Sequence, residues 1–319
     1  MNWLDNSLNL HGRIYFQRYI VFLFCFILPA IFSCGKTSVS IDERTYEPKI
    51  VIIGYLYPNQ PITAIRISRN FPIGTVIDKT EIALRDADVR LTDLADVRTY
   101  QLVYNPDSAF FEYPGTELKI GYGNSYRLDV AATIENTYLE ASSVTTVPQK
   151  GLVINLEESI YGAMPYRRQN ENGEIISPRV VFEQSPDASF YLLSMDAMDA
   201  SLETFIYENP FGFDIQDALD GGATLNDFKY RARWTRPENK SGNYSLIEVN
   251  WFLIWFYGRH RLLLYAGDQN FFHFYNTHRN VQEIDGNLHE PLFDIDGDGI
   301  GVFGSAVTDT IYLNVFPNY

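Results

Sequence analysis

From Glu47 to Pro148 the sequence repeats one device: a short apolar or alternating run, then a turn built on proline, glycine, asparagine or aspartate. "KIVIIGYLY" (Lys49 to Tyr57) stops at "PNQP", and "ITAIRIS" (Ile62 to Ser68) starts directly after it. "ADVRLTD" puts Val89 and Leu91 on one face, and "SYRLDVAA" does the same with Tyr126, Leu128 and Val130, because successive side chains of a strand point to opposite sides. The turns "YNPDS" and "YPGTE" supply residues that fix or permit tight backbone. About seven such runs, recurring every eight to twelve residues or so, are the pattern of a sandwich of short strands. The expectation is a mainly β chain: an immunoglobulin-like or fibronectin-like β-sandwich over residues 47–148, then a β-rich α+β domain with one or two helices over 149–319.

"TTVPQKG" (Thr145 to Gly151) reads as the linker between the two. Beyond it "PRVVFEQ" and "ASFYLLSM" are strand-like, while "YENPFGFDIQDALDGGATLND" (Tyr207 to Asp227) is acidic, glycine-containing and weakly periodic, and reads as a surface loop. The apolar peak is "VNWFLIWFYG" (Val249 to Gly258), too short to span a bilayer as a helix. Its aromatic and β-branched content predicts a strand buried on both faces. The sharper alternative is an exposed aromatic surface, with Phe211, Phe213, Trp251 and Trp255 as contact candidates. One helix stands out: Asp268 is placed to cap "QNFFHFYNTHRNV", whose Phe271, Phe274, Tyr275 and His278 share a face. His273 and His278 are five residues apart, which is not the spacing of a zinc-binding helix.

Residues 1–33 have the form of a targeting segment: Arg13 and Arg18, then thirteen mostly apolar residues from Tyr19 to Ile31. "IFSC" resembles a bacterial lipobox, so cleavage is expected after Ser33 and acylation at Cys34, with residues 34–46 as a tether of roughly 20 Å reach. Acyl chains at about 0.8 kcal/mol per buried methylene would hold the protein on a membrane. Gly35 carries no retention signal for the inner membrane, so the outer membrane is expected, with the cell surface favoured over the periplasmic face. The two cysteines are Cys25 and Cys34, which leaves the folded part without a disulfide and dependent on its core. With 40 acidic against 25 basic residues and no basic stripe, nucleic acid is not an expected partner.

"DIDGDGIGVFG" (Asp294 to Gly304) looks at first like a calcium loop. Asp294, Asp296 and Asp298 stand at positions 1, 3 and 5 and Gly299 at 6, but position 12 is Ser305, where a bidentate glutamate belongs. Adjacent like charges also repel unless neutralised. The expectation is a glycine-enabled turn before a strand, with those three aspartates a weak calcium candidate and no other cofactor. Nucleophile elbow, zinc-protease and phosphate-loop motifs are all absent from the sequence, and an enzyme is not expected.

The end of the chain, "NLHEPLFDIDGDGIGVFGSAVTDTIYLNV", resembles the C-terminal signature of the Bacteroidota lipoprotein family of domain of unknown function 4249, through Asn287, Glu290, Pro291, Gly301, Phe303, Gly304, Asp309, Thr310 and Ile311. "YEPKIVIIGYLYPNQP" is similar to the family's opening strand. It departs from the family in its three aspartates, where the usual turn is written "NIEGGLGIFG". The resemblance implies an outer-membrane lipoprotein with an N-terminal sandwich, of a kind often encoded beside TonB-dependent transporters. It supplies no catalytic residues to carry over. Two roles follow from it: a non-catalytic binding or accessory component of such a transporter, or a structural or interaction protein of the cell envelope without a small-molecule ligand.

Overall fold

Isoleucine and valine dominate Ile50–Leu56, and this stretch forms β1, which alternates between a buried face (Ile50, Ile52, Gly54, Leu56) and a second, partly covered one. The computed structural model describes residues 46–318 apart from 73, 79–81, 236–237, 240–243 and 279–290. The targeting segment, Ser33, Cys34, nearly all of the tether, Asn287 and Glu290 lie outside the described residues.

After β1 come β2 (Arg66–Arg69), β3 (Asp88–Asp93), β4 (Arg98–Asn105), β5 (Phe110–Glu112), β6 (Ser125–Ile134) and β7 (Thr137–Thr146). β6 and β7 form a ten-residue-long hairpin closed by Glu135 and Asn136, both with positive φ (51° and 66°). Two such residues give the turn whose twist matches that of the flanking strands. The remaining elements are β8 (Val153–Ile154), β9 (Gly162–Pro165), β10 (Arg179–Glu183), β11 (Phe190–Ala197), α1 (Ile215–Asp220), α2 (Leu225–Lys229), β12 (Tyr230–Thr235), β13 (Glu238–Asn239), β14 (Tyr244–Glu248), β15 (Gly258–Gly267), α3 (Gln269–His278), β16 (Asp296–Gly297) and β17 (Gly299–Phe316). The fold is mainly β with a few helices, and among the described residues no helix is long and apolar enough to cross a membrane.

Among the described residues three sheets make two sandwiches. The largest runs β12-β11-β15-β17-β1-β2, with β9 also paired to β17. Its β1–β2 end faces the sheet β16-β7-β6-β3-β4-β5, and Ile50, Ile52, Ile67, Leu91, Phe111, Leu128 and Phe303 fill the space between them. The Tyr126 hydroxyl, fully buried in that core, accepts from the Gly121 amide at 2.8 Å and donates to the Lys119 carbonyl. The β11–β15 part of the large sheet faces β13-β14-β10-β8 across Phe182, Leu193, Met195, Leu264, Ile311 and Leu313.

β17 belongs to both. Over Gly299–Ser305 it runs parallel to β1, and over Ala306–Val315 antiparallel to β15. Its 18 residues, at about 3.3 Å each, make a strand ~60 Å long. The boundary expected at residue 148 falls between β7 and β8, and β17 carries the large sheet across it.

Two expectations change. "VNWFLIWFYG" is not a strand: Asn250 accepts the Phe252 amide at 3.0 Å and starts a 3-10 turn over Trp251–Leu253. The side chain offers the backbone a local alternative to a ladder, and alternation is lost. Trp251, Ile254 and Phe256 then turn inward while Phe252 turns out. The loop expected from Tyr207 to Asp227 holds α1, capped by Asp214 on the Gln216 amide, and the start of α2, whose Thr224 and Asp227 form a reciprocal capping box. The cap expected at Asp268 is in place, its carboxylate accepting the Phe271 amide at 3.0 Å.

Candidate functional site

Three regions carry the residues singled out by the sequence, or their neighbours. The first is the aspartate turn. Asp294 faces His273 of α3, with Nδ1 to Oδ2 at 2.9 Å. Asp296 and Gly297 make the short β16 rung on Ser142 and Ala141 of β7. Asp298 lies 3.8 Å from Lys49 and accepts the Glu140 amide at 3.4 Å. The carboxylates thus serve a helix, a sheet edge and the start of β1, and among the described residues no three or more His, Cys, Asp or Glu side chains converge as metal ligands. The glycines do the steric work. Gly297 and Gly301 have φ of 83° and 111°, and a Cβ at either would strike the carbonyl oxygen of Glu140 or Ile52.

The second region is aromatic and gathers where β11, β15 and the two short helices meet. Phe211 is 59% exposed and Phe252 is 48% exposed, with ring centroids 4.8 Å apart. Trp255 supports them from below, 6.4 Å from Phe211, 5.0 Å from Phe213 and stacked on buried Phe205 at 6.1 Å. Asn209 sets the loop: its side-chain oxygen accepts the amides of Phe211 and Phe213, and its nitrogen donates to the Phe213 carbonyl. The Arg231 guanidinium stands 5.8 Å over both Phe228 and Trp255, near enough to favour the ring faces. Trp251 is placed elsewhere. It is buried, donates its indole N–H to the Ile176 carbonyl at 3.0 Å and packs edge-on against Tyr166. Phe252, which the sequence did not single out, takes the outward place beside Phe211.

The third region is a cleft of about 490 Å³ between α3 and the face of the large sheet that looks away from the second core. Five tyrosines line it: Tyr55 and Tyr57 from β1 and the residue after it, Tyr230 from β12, Tyr265 from β15 and Tyr275 from α3, with Phe271 at its back. Burial pushes the phenols of Tyr55 and Tyr57 well above the usual tyrosine range, so both stay protonated. Beneath Tyr55, buried Asp268 accepts from Thr145 at 2.5 Å and from the Ser305 and Phe271 amides, which ties β7, β17 and α3 together. Burial raises its carboxyl above the ordinary value. The sequence reading missed this cleft. The available signal was β1 itself, whose second face is Val51, Ile53, Tyr55 and Tyr57, too apolar to be left to water.

A family model described as "Domain of unknown function (DUF4249)" matches residues 36–311. No curated protein sequence matches the chain. Among solved structures, the FN1-FN3 domains of chicken CNTN1 are similar at 7% identity, over 85% of this chain and 69% of that one, with a TM-score of 0.16. At that score the fold rests on the strands described above and not on the likeness.

Proposed function

We propose, from the premise that this chain belongs to the DUF4249 family, that it is a lipid-anchored, non-catalytic binding component of the outer membrane that docks on a TonB-dependent transporter. The observation that carries the reading is the exposed Phe211–Phe252 pair. Two large aromatic rings side by side in water, braced by Trp255 and Phe213 and fixed by the Asn209 bonds, have the character of an interface anchor and not of scattered surface residues. Arg231 beside them adds the cation that such patches favour. In this reading Cys34, acylated after cleavage at Ser33, holds the protein on the membrane, favouring the cell surface, and the patch selects the partner.

The test is extraction of the tagged full chain in mild detergent after crosslinking. A transporter of the outer membrane is expected in the eluate, and reduced at least about thirtyfold with Phe211→Ala and Phe252→Ala combined, since a buried aromatic anchor contributes roughly 2 kcal/mol or more. Recovery of the chain alone, or only with peptidoglycan or adhesion proteins, would sink the transporter reading and leave the structural one.

A further inference from the structure

The tyrosine cleft has a chemistry of its own. Neither the Tyr55 nor the Tyr57 hydroxyl has a hydrogen-bond partner among the described residues, although both side chains are half-buried. Hydroxyl groups in such a place are costly unless water or a ligand satisfies them. The rings around them meet at angles: Tyr55 on Phe271 at 4.6 Å, Tyr57 on Tyr265 at 6.5 Å, and Tyr265 edge-on to Phe271 at 6.3 Å. The walls are therefore aromatic and their tips are neutral donors and acceptors.

Charge narrows the occupant. Among the described residues the lining holds no carboxylate, and Asp268, which lies close to Tyr55, has both oxygens engaged by Thr145, Ser305 and Phe271. An organic cation finds no counter-ion among these described residues. Arg231 is the one charged residue of the lining among the described residues, and its guanidinium is drawn over Phe228 and Trp255 and donates to the Asp227 carbonyl at 3.1 Å, so an anion is poorly served. What remains is a neutral ligand that presents apolar C–H faces to rings and hydroxyls to hydroxyls, with the size of one or two sugar rings in about 490 Å³.

We infer that the cleft between α3 and the large sheet binds a neutral saccharide of one or two rings, with the Tyr55 and Tyr57 hydroxyls as its polar contacts. The protonated state of both phenols suits donation to sugar oxygens. The site shares only Arg231 with the aromatic patch, and the two can fail separately.

The test is saturation-transfer difference NMR on the full chain in detergent, with cellobiose, maltose and N-acetylglucosamine as probes and tetramethylammonium as the cationic control. Saturation of sugar ring protons is expected with at least one probe. The Tyr55→Phe, Tyr57→Phe double variant should weaken that binding about tenfold, as two neutral hydrogen bonds of ~0.7 kcal/mol each would. Its melting temperature should not move, because the lost hydroxyls have no partner among the described residues. The inference is overturned if no sugar is saturated, if the double variant binds as well as the parent, or if tetramethylammonium is saturated in place of the sugars. Sugar binding in a chain that captures no transporter would remove the docking proposal and leave this one standing.

Discussion

The two sandwiches share a strand and differ in how they use their loops. In the first, β3 to β4, β4 to β5 and β6 to β7 follow one another through turns of two to four residues such as Glu135–Asn136, around a core that includes Ile52, Leu91, Leu128 and Phe111. In the second, β8, β9 and β13 have only two to four residues, and the connections between longer strands carry Phe205, Phe211, Phe213, Phe252 and Trp255. Regular pairing spends its side chains on the core. Irregular connections leave aromatic groups at the surface and an opening of about 380 Å³ walled in part by Trp251, Phe252 and Arg231. The contrast sets paired hairpins in one half against exposed aromatic connections in the other.

The largest effect is expected where the halves join. Gly301→Val places a side chain against the Ile52 carbonyl at a φ of 111°, and should cost at least about 3 kcal/mol or prevent folding. A chemical-denaturation midpoint equal to the parent's would show that β1 and β17 are not held as described. Next, Ile52→Ala in the first core and Leu313→Ala in the second should each cost about 2–5 kcal/mol. Because β17 serves both cores, each should lower one common calorimetric transition; two separate transitions would show that the sandwiches unfold independently.

A smaller effect separates the halves by pH. His260 is buried in the second sandwich and bonded through Nδ1 to the Gly258 carbonyl, with its Nε2 unpartnered among the described residues. Burial holds its pKa below the usual 6.5, outweighing the pull of Asp199 and Asp196. The unfolded chain then binds the proton more readily, so this residue's contribution is whole above about pH 6.5 and declines as the pH falls toward its lowered folded value. His260→Leu should flatten the melting-temperature profile between pH 7.5 and 5, and an unchanged slope would remove His260 as its source. The smallest effect is Phe252→Ala, which exposure limits to about 0.5 kcal/mol of stability. A larger thermal shift would mean that Phe252 is core and not surface.

The first sandwich was legible because its signals are local: alternation within β3 and β6 and turn residues between them name both face and register. The Asp268 cap was legible for the same reason. The run Val249 to Gly258 misled because an apolar stretch reports burial without saying which backbone buries it, and Asn250 decided for a turn. The helices α1 and α2 have six and five residues, too few to show a period. The cleft was hidden for another reason. Its tyrosines come from β1, β12, β15 and α3, and only the sheet order that β17 imposes brings them together. Glycine spacing around Gly297 and Gly301 proved a better guide to the turn than Asp294, Asp296 and Asp298, whose partners are His273, the edge of β7 and Lys49.

β17 also governs time. Residue 50 pairs with residue 299, so β1, made early, has β2 on one side and an open edge on the other until the final strand arrives. A parallel pairing across that separation is slow to form, since the loop must close before any rung rewards it. Through synthesis the chain therefore carries an unguarded apolar edge on Ile50, Ile52 and Leu56, open to mispairing with another copy. A nascent chain cut short of Gly299 would keep both of its half-built sheets and finish neither.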